Sequence, residues 1–407
     1  MKIIVISAVA AATLMAGGYA IPESSINATA LSAAYIANAH GADAAYYNPA
    51  AMVYNDDANL LEVDATYIGL SSINYQGTYT TPTTGTTGPY DINSKKENFI
   101  VPSLHYTSKK LGDNGARVGF SIVVPAGLSK RWENQPAKSS AEEFTLETVE
   151  FNPSMAIPLS DTVSMGVGFR VISTSGVVKA KGTVPFNYSQ NLTGDSIDYG
   201  YNLALNYRPV SNISLAVTYR SKIDLNVEGS ADLVSPVVNG NHAVSVTIPS
   251  PATLNLSAAY TFGTGTTIET VYTRTYWSAY ENLNFEYLNP TAEAVFGTIK
   301  PKNWENTNTY RLGLTQKYDK WTAMAGIAYD ETPVPESTLG YELPDSDAWI
   351  VSMGGRYQID KSWNIGLAGL VDMKESRDVY QSSATGIKGE FSNARAYLIT
   401  AGIEYRF

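Results

Sequence analysis

The sequence predicts an all-β fold, a transmembrane antiparallel β-barrel of about fourteen strands with an N-terminal hatch inside the lumen. Three observations favour it over a soluble fold: segments in which apolar and polar residues alternate, connections that alternate in length, and aromatic residues gathered at one end of the segments. The composition agrees with a membrane location, because only 16% of the 407 residues are charged, against roughly 25% in typical soluble domains.

The first twenty residues have the pattern of a secretory signal. Lys2 precedes an apolar run over residues 3–16, and Gly18 and Ala20 put small residues at the cleavage positions. We therefore expect residues 1–20 to be removed after Ala20. An uncleaved anchor helix is the alternative, but the apolar run is shorter than the about 20 residues that cross a bilayer.

Residues 21–58 are predicted to form the hatch. The segment is rich in Ala, Ser and Asn, lacks strand alternation until its end, and can form one or two short helices around residues 28–39. A barrel of fourteen strands is wide enough to leak unless an inserted segment fills it, so this stretch is a natural plug. The alternative, a disordered periplasmic tail, is disfavoured by the apolar content. The barrel is expected to occupy residues 59–407.

The last segment illustrates the alternation, whose period of two residues is typical of a strand. One face carries Tyr397, Ile399, Ala401, Ile403 and Tyr405, and the other carries Thr400, Gly402, Glu404 and Arg406. Fourteen such segments lie at about 59–77, 98–108, 115–132, 143–158, 161–182, 194–209, 211–229, 251–262, 266–286, 304–319, 320–331, 345–360, 361–376 and 391–407.

The connections between these segments alternate in length around the whole chain. Tight turns such as PLSDT at 158–162 and FGTGT at 262–266 alternate with links of about twenty residues at 78–97, 229–250 and 285–305. Outer-membrane barrels have this asymmetry, with short periplasmic turns and long outer loops. A soluble sandwich has no reason to segregate its loops in this way.

Aromatic residues cluster beside the tight turns, where they would form a girdle at the membrane interface. Ordinary enrichment of aromatic residues in strands is the alternative explanation. The residues concerned are Tyr106, Tyr207, Tyr260, Phe262, Tyr318, Trp321, Tyr357, Trp363 and Phe407.

Several functional classes are disfavoured by the composition. The net charge of -10 and the lack of a Lys/Arg cluster argue against nucleic acid, and the absence of cysteine excludes disulfides and thiolate metal sites. His40, His105 and His242 are scattered and form no triad or metal pattern, so we expect neither an enzyme nor a cofactor. Asp345 and Asp347 could hold a divalent cation, but a solvated pair is favoured.

Two motifs resemble one family. DAAYYNPAAM at 43–52, and the stretch 304–349 with PVP at 333–335 and LPDSD at 343–347, are similar to segments of the FadL/TodX outer-membrane transporters of long-chain fatty acids and hydrocarbons. The resemblance implies a monomeric barrel in the outer membrane of a Gram-negative bacterium, in contact with membrane lipid and lipopolysaccharide. It also implies an N-terminal hatch, capture of a hydrophobic ligand by outer loops, and sideways release through a gap at the third strand.

The resemblance assigns roles to two groups of residues. Asn48, Pro49 and Ala50 would be the hatch segment packed near the gap. A kink in the third strand is expected at Pro125, Ala126 and Gly127, because proline lacks a hydrogen-bond donor and glycine often marks a bend. A plain irregularity near the outer half of the strand is the alternative.

Candidate ligand contacts come from charge and exposure. Arg170 and Arg220 lie on the polar register of their strands and could hold a carboxylate, although such residues more often pair with acidic side chains across a barrel. Phe186 in the link 180–194, and Leu233 and Val234 in the link 229–250, could form an apolar capture surface. Packing of the loops on one another is the alternative.

These features predict passive transport of hydrophobic compounds, either fatty acids or aromatic or aliphatic hydrocarbons, by capture at the outer loops and release through the wall. Moving a long acyl chain out of water is favourable by about 0.8 kcal/mol of free energy per methylene, so a water-filled pore would be a poor route. The alternative is a surface adhesin or receptor that does not transport, and an aqueous porin is a third possibility.

Overall fold

The computed structural model describes residues 17–80, 87–380, 382 and 384–407. The strands are β1 (Leu60–Leu70), β2 (Asn74–Thr80), β3 (Thr87–Asn93), β4 (Glu97–Thr107), β5 (Arg117–Val123), β6 (Gly127–Lys130), β7 (Glu143–Pro158), β8 (Val163–Gly182), β9 (Tyr188–Val210), β10 (Ile213–Arg220), β11 (Ile223–Val234), β12 (Asn239–Ser250), β13 (Thr253–Thr261), β14 (Thr266–Thr275), β15 (Asn282–Leu283), β16 (Phe285–Tyr287), β17 (Lys300–Pro301), β18 (Thr307–Lys317), β19 (Trp321–Asp330), β20 (Ala348–Gln358), β21 (Trp363–Lys374), β22 (Arg377–Val379), β23 (Ile387–Ser392) and β24 (Arg395–Arg406).

Helices are short. They are α1 (Ile26–Ala30), α2 (Ala44–Tyr47), α3 (Lys138–Ala141) and α4 (Pro290–Phe296), with 3₁₀ turns at Pro49–Tyr54, Trp277–Ala279 and Glu336–Thr338. In the part of the chain that the structure describes, no helix is long and apolar enough to cross a membrane.

The predicted closed antiparallel barrel of fourteen strands is confirmed. Ten barrel strands are unbroken, and the other four consist of two pieces each: β5 with β6, β10 with β11, β12 with β13, and β14 with β16. The remaining strands form two small sheets, β15–β17 and β22–β23–β2–β3, in the long links.

The barrel closes between its first and last strands. β1 pairs with β24 from Leu60 opposite Arg406 to Leu70 opposite Ala396. Beyond the ladder, Asn59 and Phe407 exchange backbone hydrogen bonds of 2.9 and 3.0 Å. The C-terminal phenylalanine therefore lies at the seam.

The predicted lipid and lumen faces are visible in the alternating exposure of the strands. In β9, for example, the side chains of Leu203, Leu205 and Tyr207 are exposed, whereas those of Asn202 and Asn206 are buried inside. Of the predicted girdle, the residues exposed on the outside are Tyr207, Tyr260, Phe262, Tyr318, Trp321, Trp363 and Phe407.

Two of the predicted long links are wrong. Residues 229–250 fold largely as the outer parts of β11 and β12, which pair as far as Val234 opposite Asn239, and the predicted link 180–194 is reduced to the five residues between β8 and β9. The alternation of apolar and polar residues is weak there because β8, β9, β11 and β12 extend past the membrane, where an outward side chain need not be apolar. Of the link 78–97, residues 81–86 lie outside the described residues.

Residues 21–58 pack against the inner face of the barrel. The side chain of Thr29 on α1 is 2.9 Å from that of Thr400 on β24, and Ser32 is 2.8 Å from Ser352 on β20. A Cβ added to Gly326 of β19 would lie 2.2 Å from the carbonyl carbon of Leu31, so only glycine leaves room for this approach. The many alanines of the segment suit such close backbone packing.

Candidate functional site: a wall gap and a ligand cavity

The wall is interrupted between β4 and the third barrel strand, which consists of β5 and β6. β4 pairs with β5 only from Leu104 opposite Ile122 to Thr107 opposite Gly119. The chain is paired again just before β4 and just after β6, at the bridge between Ser94 and Trp132. Ser94 and Leu104 are ten residues apart, as are Ile122 and Trp132, so the register is the same on both sides of the interruption. We call this stretch, residues 97–103 facing 123–129, the wall gap.

Two prolines explain why the ladder fails in the wall gap. The common register would place Pro102 opposite Val124, and Pro125 opposite Val101. Neither proline has an N–H to donate to the neighbouring strand. The two edges that face each other therefore lack donors at adjacent positions.

The third strand is also bulged on its other side. Val123 pairs with Glu150 and Gly127 pairs with Glu147 on β7, so three residues of the third strand, 124–126, oppose two of β7. An extra residue of this kind bends a strand away from its ladder. The predicted kink residues Pro125, Ala126 and Gly127 lie at this bulge.

The N-terminal segment supplies hydrogen bonds that the wall gap lacks. Ile21 N donates to Pro125 O and Gly127 N donates to Tyr19 O, each at a distance of 2.9 Å. Ala20 forms an antiparallel bridge with Ala126. The kink is thus covered from inside by a short strand of the same chain, which removes the cost of unpaired backbone groups at membrane depth.

A cavity of about 150 Å³ lies between the N-terminal segment and the wall, and we call it the main cavity because it reaches the wall gap. It reaches the kink at Pro125 and Ala126, and it is bordered by Tyr19, Ile21 and Tyr46 of the N-terminal segment. On the wall side its polar lining comes from threonine and asparagine residues together with Arg170, Arg220 and Arg311. An amphipathic ligand would find both an apolar and a cationic surface here.

The two arginines predicted as ligand contacts share one carboxylate. Arg170 donates from Nε and Nη2 to Glu150 at 3.0 to 3.2 Å and from Nη1 to Ser221 O at 2.7 Å. Arg220 also contacts Glu150, and its guanidinium carbon lies 4.3 Å from the centre of the Tyr46 ring. Nη1 of Arg220 has no hydrogen-bond partner among the described residues. The group therefore carries one excess positive charge and one free donor.

The predicted apolar capture residues do not line this cavity. Phe186 lies at the tip of the β8–β9 hairpin, half-buried, with its ring 6.4 Å from that of Tyr188. Leu233 and Val234 end β11; Leu233 is buried and Val234 is exposed. They belong to the outer part of the molecule, beyond two small apolar cavities of about 20 and 30 Å³ that share Phe144, Leu146 and Ile248 as lining residues.

Asn48, Pro49 and Ala50 dock on β8 and β9. Asn48 Nδ2 donates to Ile36 O and to Asn206 Oδ1, each at a distance of 2.8 Å. Ser164 on β8 donates to Ala50 O. The contact with the third strand is made by their neighbours, because a Cβ on Gly119 of β5 would lie 2.6 Å from Ala45 and 2.7 Å from Met52.

The buried acid groups of the N-terminal segment have displaced pKa values. Burial raises the pKa of Glu23 to about 8, and Arg311 only partly opposes it. Burial also raises the pKa of Asp43 to about 8, with Glu62 adding to the shift and Arg356 opposing it. For His40, burial lowers the pKa to about 3. Neutral side chains are thus favoured in the interface between segment and barrel.

His105 takes a structural position, and the expectation that Asp345 and Asp347 form a solvated pair is wrong for Asp345. His105 Nδ1 is 3.0 Å from Ser121 Oγ and its Nε2 is 2.9 Å from Ser24 O, so it connects β4 with β5 and the N-terminal segment. Asp345 is buried and pairs with Lys374 at 2.7 Å, and Asp347 accepts from the hydroxyl of Tyr329 at 2.9 Å.

Sequence reasoning missed three aromatic residues around the cavity. Tyr19 packs against Trp277 and Trp304, with ring centres 4.7 and 5.6 Å apart. Tyr19 borders both the main cavity and one of the smaller ones, so it separates them. It was overlooked because it falls in the expected leader, and no local pattern links Trp277 and Trp304 to it.

Known proteins share this architecture. A family model described as "Outer membrane protein transport protein (OMPP1/FadL/TodX)" matches residues 7–407. The chain is 22% identical over 377 residues to the long-chain fatty acid transport protein of Escherichia coli O6:H1, covering 81% of this chain and 83% of that protein.

Two solved structures show the same fold. A Pseudomonas aeruginosa FadL homologue matches with a TM-score of 0.83 at 20% identity, covering 95% of this chain and 99% of the other. The P. putida toluene transporter TodX matches with a TM-score of 0.69 at 17% identity, covering 95% and 99%.

Proposed function

Since the chain belongs to the OMPP1/FadL/TodX family of outer membrane transport proteins, we propose that it carries hydrophobic compounds passively through the barrel and releases them sideways at the wall gap. Family membership also confirms the expected outer-membrane location and the expectation that the chain is a transporter and not an enzyme.

The observation that carries the proposal is the position of the main cavity. It ends at Pro125 and Ala126, directly behind the wall gap, and the cover there is the short strand 19–21. Displacing that strand would join the cavity to the membrane. The ligand would then pass from one apolar phase to another without exposing its methylenes to water, at about 0.8 kcal/mol each.

Residues 21–58 act as the plug in this proposal. Their polar contacts, such as Asn48 with Asn206 and the Ile36 and Ala37 N–H groups with Glu269 at 2.6 Å, hold the segment while the strand 19–21 moves. The two small apolar cavities beyond Tyr19 form the outer entrance, and the surrounding lipid and lipopolysaccharide are the proposed neighbours of a monomeric barrel. Ligand would be captured there and passed inward at Tyr19.

The test restores donors to both edges of the wall gap. In the double variant Pro102→Thr, Pro125→Thr, each edge regains an N–H and a residue that favours strands, so β4 can pair continuously with the third strand. We expect uptake of radiolabelled oleate and toluene to fall to the level of a strain that lacks the protein. Pro153→Thr is the matched control, since Pro153 lies on β7 opposite Phe120, away from the gap.

Hydrogen exchange should show that the double variant has gained protection at residues 97–103. Undiminished uptake by such a protected variant would rule out release through the gap. If neither the wild type nor the variant takes up either compound and the purified barrel binds cells, the adhesin alternative is favoured instead. Appreciable single-channel conductance would favour a porin.

The relatives are named for a charged ligand, long-chain fatty acid, and a neutral one, toluene. We propose that Arg220, with its free Nη1, contacts a ligand carboxylate in this chain, while Arg170 holds Glu150 in place. The change Arg220→Met should weaken oleate binding in the purified protein and leave toluene binding unchanged. Equal loss of both would mean that Arg220 only supports the fold.

A further inference from the structure

The stretch from Gly17 to Ile21 is built into the fold, although the sequence pattern placed most of it in a removed leader. Tyr19 is only 2% exposed, its ring lies edge-on to Trp277 at 4.7 Å, and its hydroxyl donates to Pro249 O. Trp277 and Trp304 pack on each other with ring centres 5.0 Å apart, so a chain that began at Ile21 would leave a space the size of a tyrosine side chain beside this pair. Well-packed proteins rarely keep such a void.

The backbone of the same stretch completes the third strand. Gly127 N donates to Tyr19 O over 2.9 Å, and Ala20 bridges Ala126. Gly127 is buried, so loss of Tyr19 would leave its N–H without that acceptor. Buried backbone donors are almost always paired.

Charge points the same way. Gly17 N contacts the carboxylate of Asp330, and Gly18 N is 3.0 Å from Asp345 Oδ2. Asp345 has an ion pair with Lys374, but buried Asp330 has none among residues 17–80 and 87–380. Arg311 and Lys374 attract Asp330 without an ion-pair contact. A buried carboxylate is costly without a directly paired cation, and the α-ammonium group of Gly17 would be one.

We propose that processing occurs upstream of Tyr19, after Ala16 or Gly18, so that Tyr19 and Ala20 remain in the mature protein. When cleavage follows Ala16, the new ammonium group is that of Gly17 and lies beside Asp330. The leader pattern permits both sites. For cleavage after Gly18, Ala16 and Gly18 put small residues at the two cleavage positions; for cleavage after Ala16, the last position is small and Leu14 takes the other. The proposal does not rest on the transport function, and uptake measurements do not bear on it.

Intact-mass analysis and N-terminal sequencing of the protein purified from outer membranes test the proposal. We expect the chain to start at Gly17 or Tyr19. A start at Ile21, or an unprocessed chain that still begins at Met1, would overturn it. Sequencing identifies the first residue directly and so separates these outcomes.

Two substitutions provide a second readout. In the folded protein, Tyr19→Ala should shift the fluorescence of Trp277 and Trp304 to longer wavelength, because water enters the space beside them, whereas Tyr19→Phe should leave the emission unchanged. If Tyr19 belonged to a removed leader, both purified variants would have the mass and the emission of the wild type, which would also overturn the proposal.

Discussion

Two parts of the barrel wall are built differently. From β18 to β20 the ladders run without a break, with Thr309–Lys317 paired to Thr322–Asp330 and Trp321–Asp330 paired to Ala348–Tyr357. Between β4 and the third strand, the ladder stops for seven residues and a strand from the N-terminal segment takes over. In the second wall, the backbone of the third strand is paired in part by residues 19–21, which lie outside the barrel ladder.

The difference is the physical basis for the proposed release through the wall. A regular ladder shares its hydrogen bonds among neighbours that are fixed by the whole barrel, so opening it would expose unpaired groups to lipid at several kcal/mol each. At the wall gap, Pro102 and Pro125 have already removed donors, and displacing residues 19–21 breaks few bonds. The structure therefore places the weakest part of the wall beside the cavity.

The largest effect is expected from removing the carboxylate behind the wall gap. Glu150→Leu leaves Arg170 and Arg220 buried without their anion, and breaking such a group typically costs about 3–5 kcal/mol. Urea unfolding, followed by the electrophoretic mobility of the folded barrel, measures the loss. Ser352→Ala on the regular wall, which loses the 2.8 Å bonds to Ala30 O and to Ser32 Oγ, should cost only about 1–2 kcal/mol. Equal losses would contradict the comparison.

Trp132 secures the outer end of the wall gap. It is fully buried, and its Nε1 donates to Tyr341 O over 2.9 Å. Trp132→Ala should cost about 3 kcal/mol, as is usual for a large buried side chain, and should increase hydrogen exchange at residues 97–103 more than at residues 348–358. Uniform exchange along both walls would show that Trp132 stabilises the barrel as a whole.

The attachment of the N-terminal segment should depend on pH. Asp43 accepts from Asn27 at 3.0 Å and from Tyr35 at 3.1 Å, and burial raises its pKa from 3.8 to about 8. The folded state binds the Asp43 proton more tightly than the unfolded state does. The free energy that this proton contributes to folding is therefore complete below pH 3.8, the pKa of the unfolded state, and is lost as the pH rises towards 8. The limit is about 1.4 kcal/mol per pH unit.

Hydrogen-exchange protection of residues 26–47, corrected for the intrinsic effect of pH, should therefore fall between pH 6 and pH 8. Asp43→Asn, which stays neutral, should flatten this dependence. The exchange of β18 to β20 serves as the internal control, because a fall of the same size there would mean that the whole barrel responds.

The smallest effect is expected at the aromatic girdle. Trp363 is 40% exposed and lies 4.3 Å from the Tyr405 ring, and such pairs contribute about 0.5–1.5 kcal/mol. Trp363→Ala should lower the urea midpoint slightly without changing uptake. A large loss of uptake would indicate that the regular wall takes part in transport.

Much of the barrel could be predicted from the sequence. The period of two along strands such as β24 reflects lipid on one side and the lumen on the other, and tight turns such as 262–266 mark the short rim. The strands that extend past the membrane, β11 and β12, were misread because water on their outer side removes the demand for apolar residues. The site was predicted less well: Arg170 and Arg220 do line the cavity, whereas Phe186 and Leu233 lie far from it.

The sequence by itself determined the fold class, the number of strands and the places of Pro102 and Pro125, because these follow from local periodicity and from the missing proline donor. Only the tertiary structure decided what faces the interruption. Tyr19 pairs with Gly127, which is more than a hundred positions away in the chain, and Glu150 is shared by two arginines that lie 20 and 70 positions from it. The cavity joins residues that are equally far apart. Such contacts depend on how the barrel closes, and no local pattern encodes them.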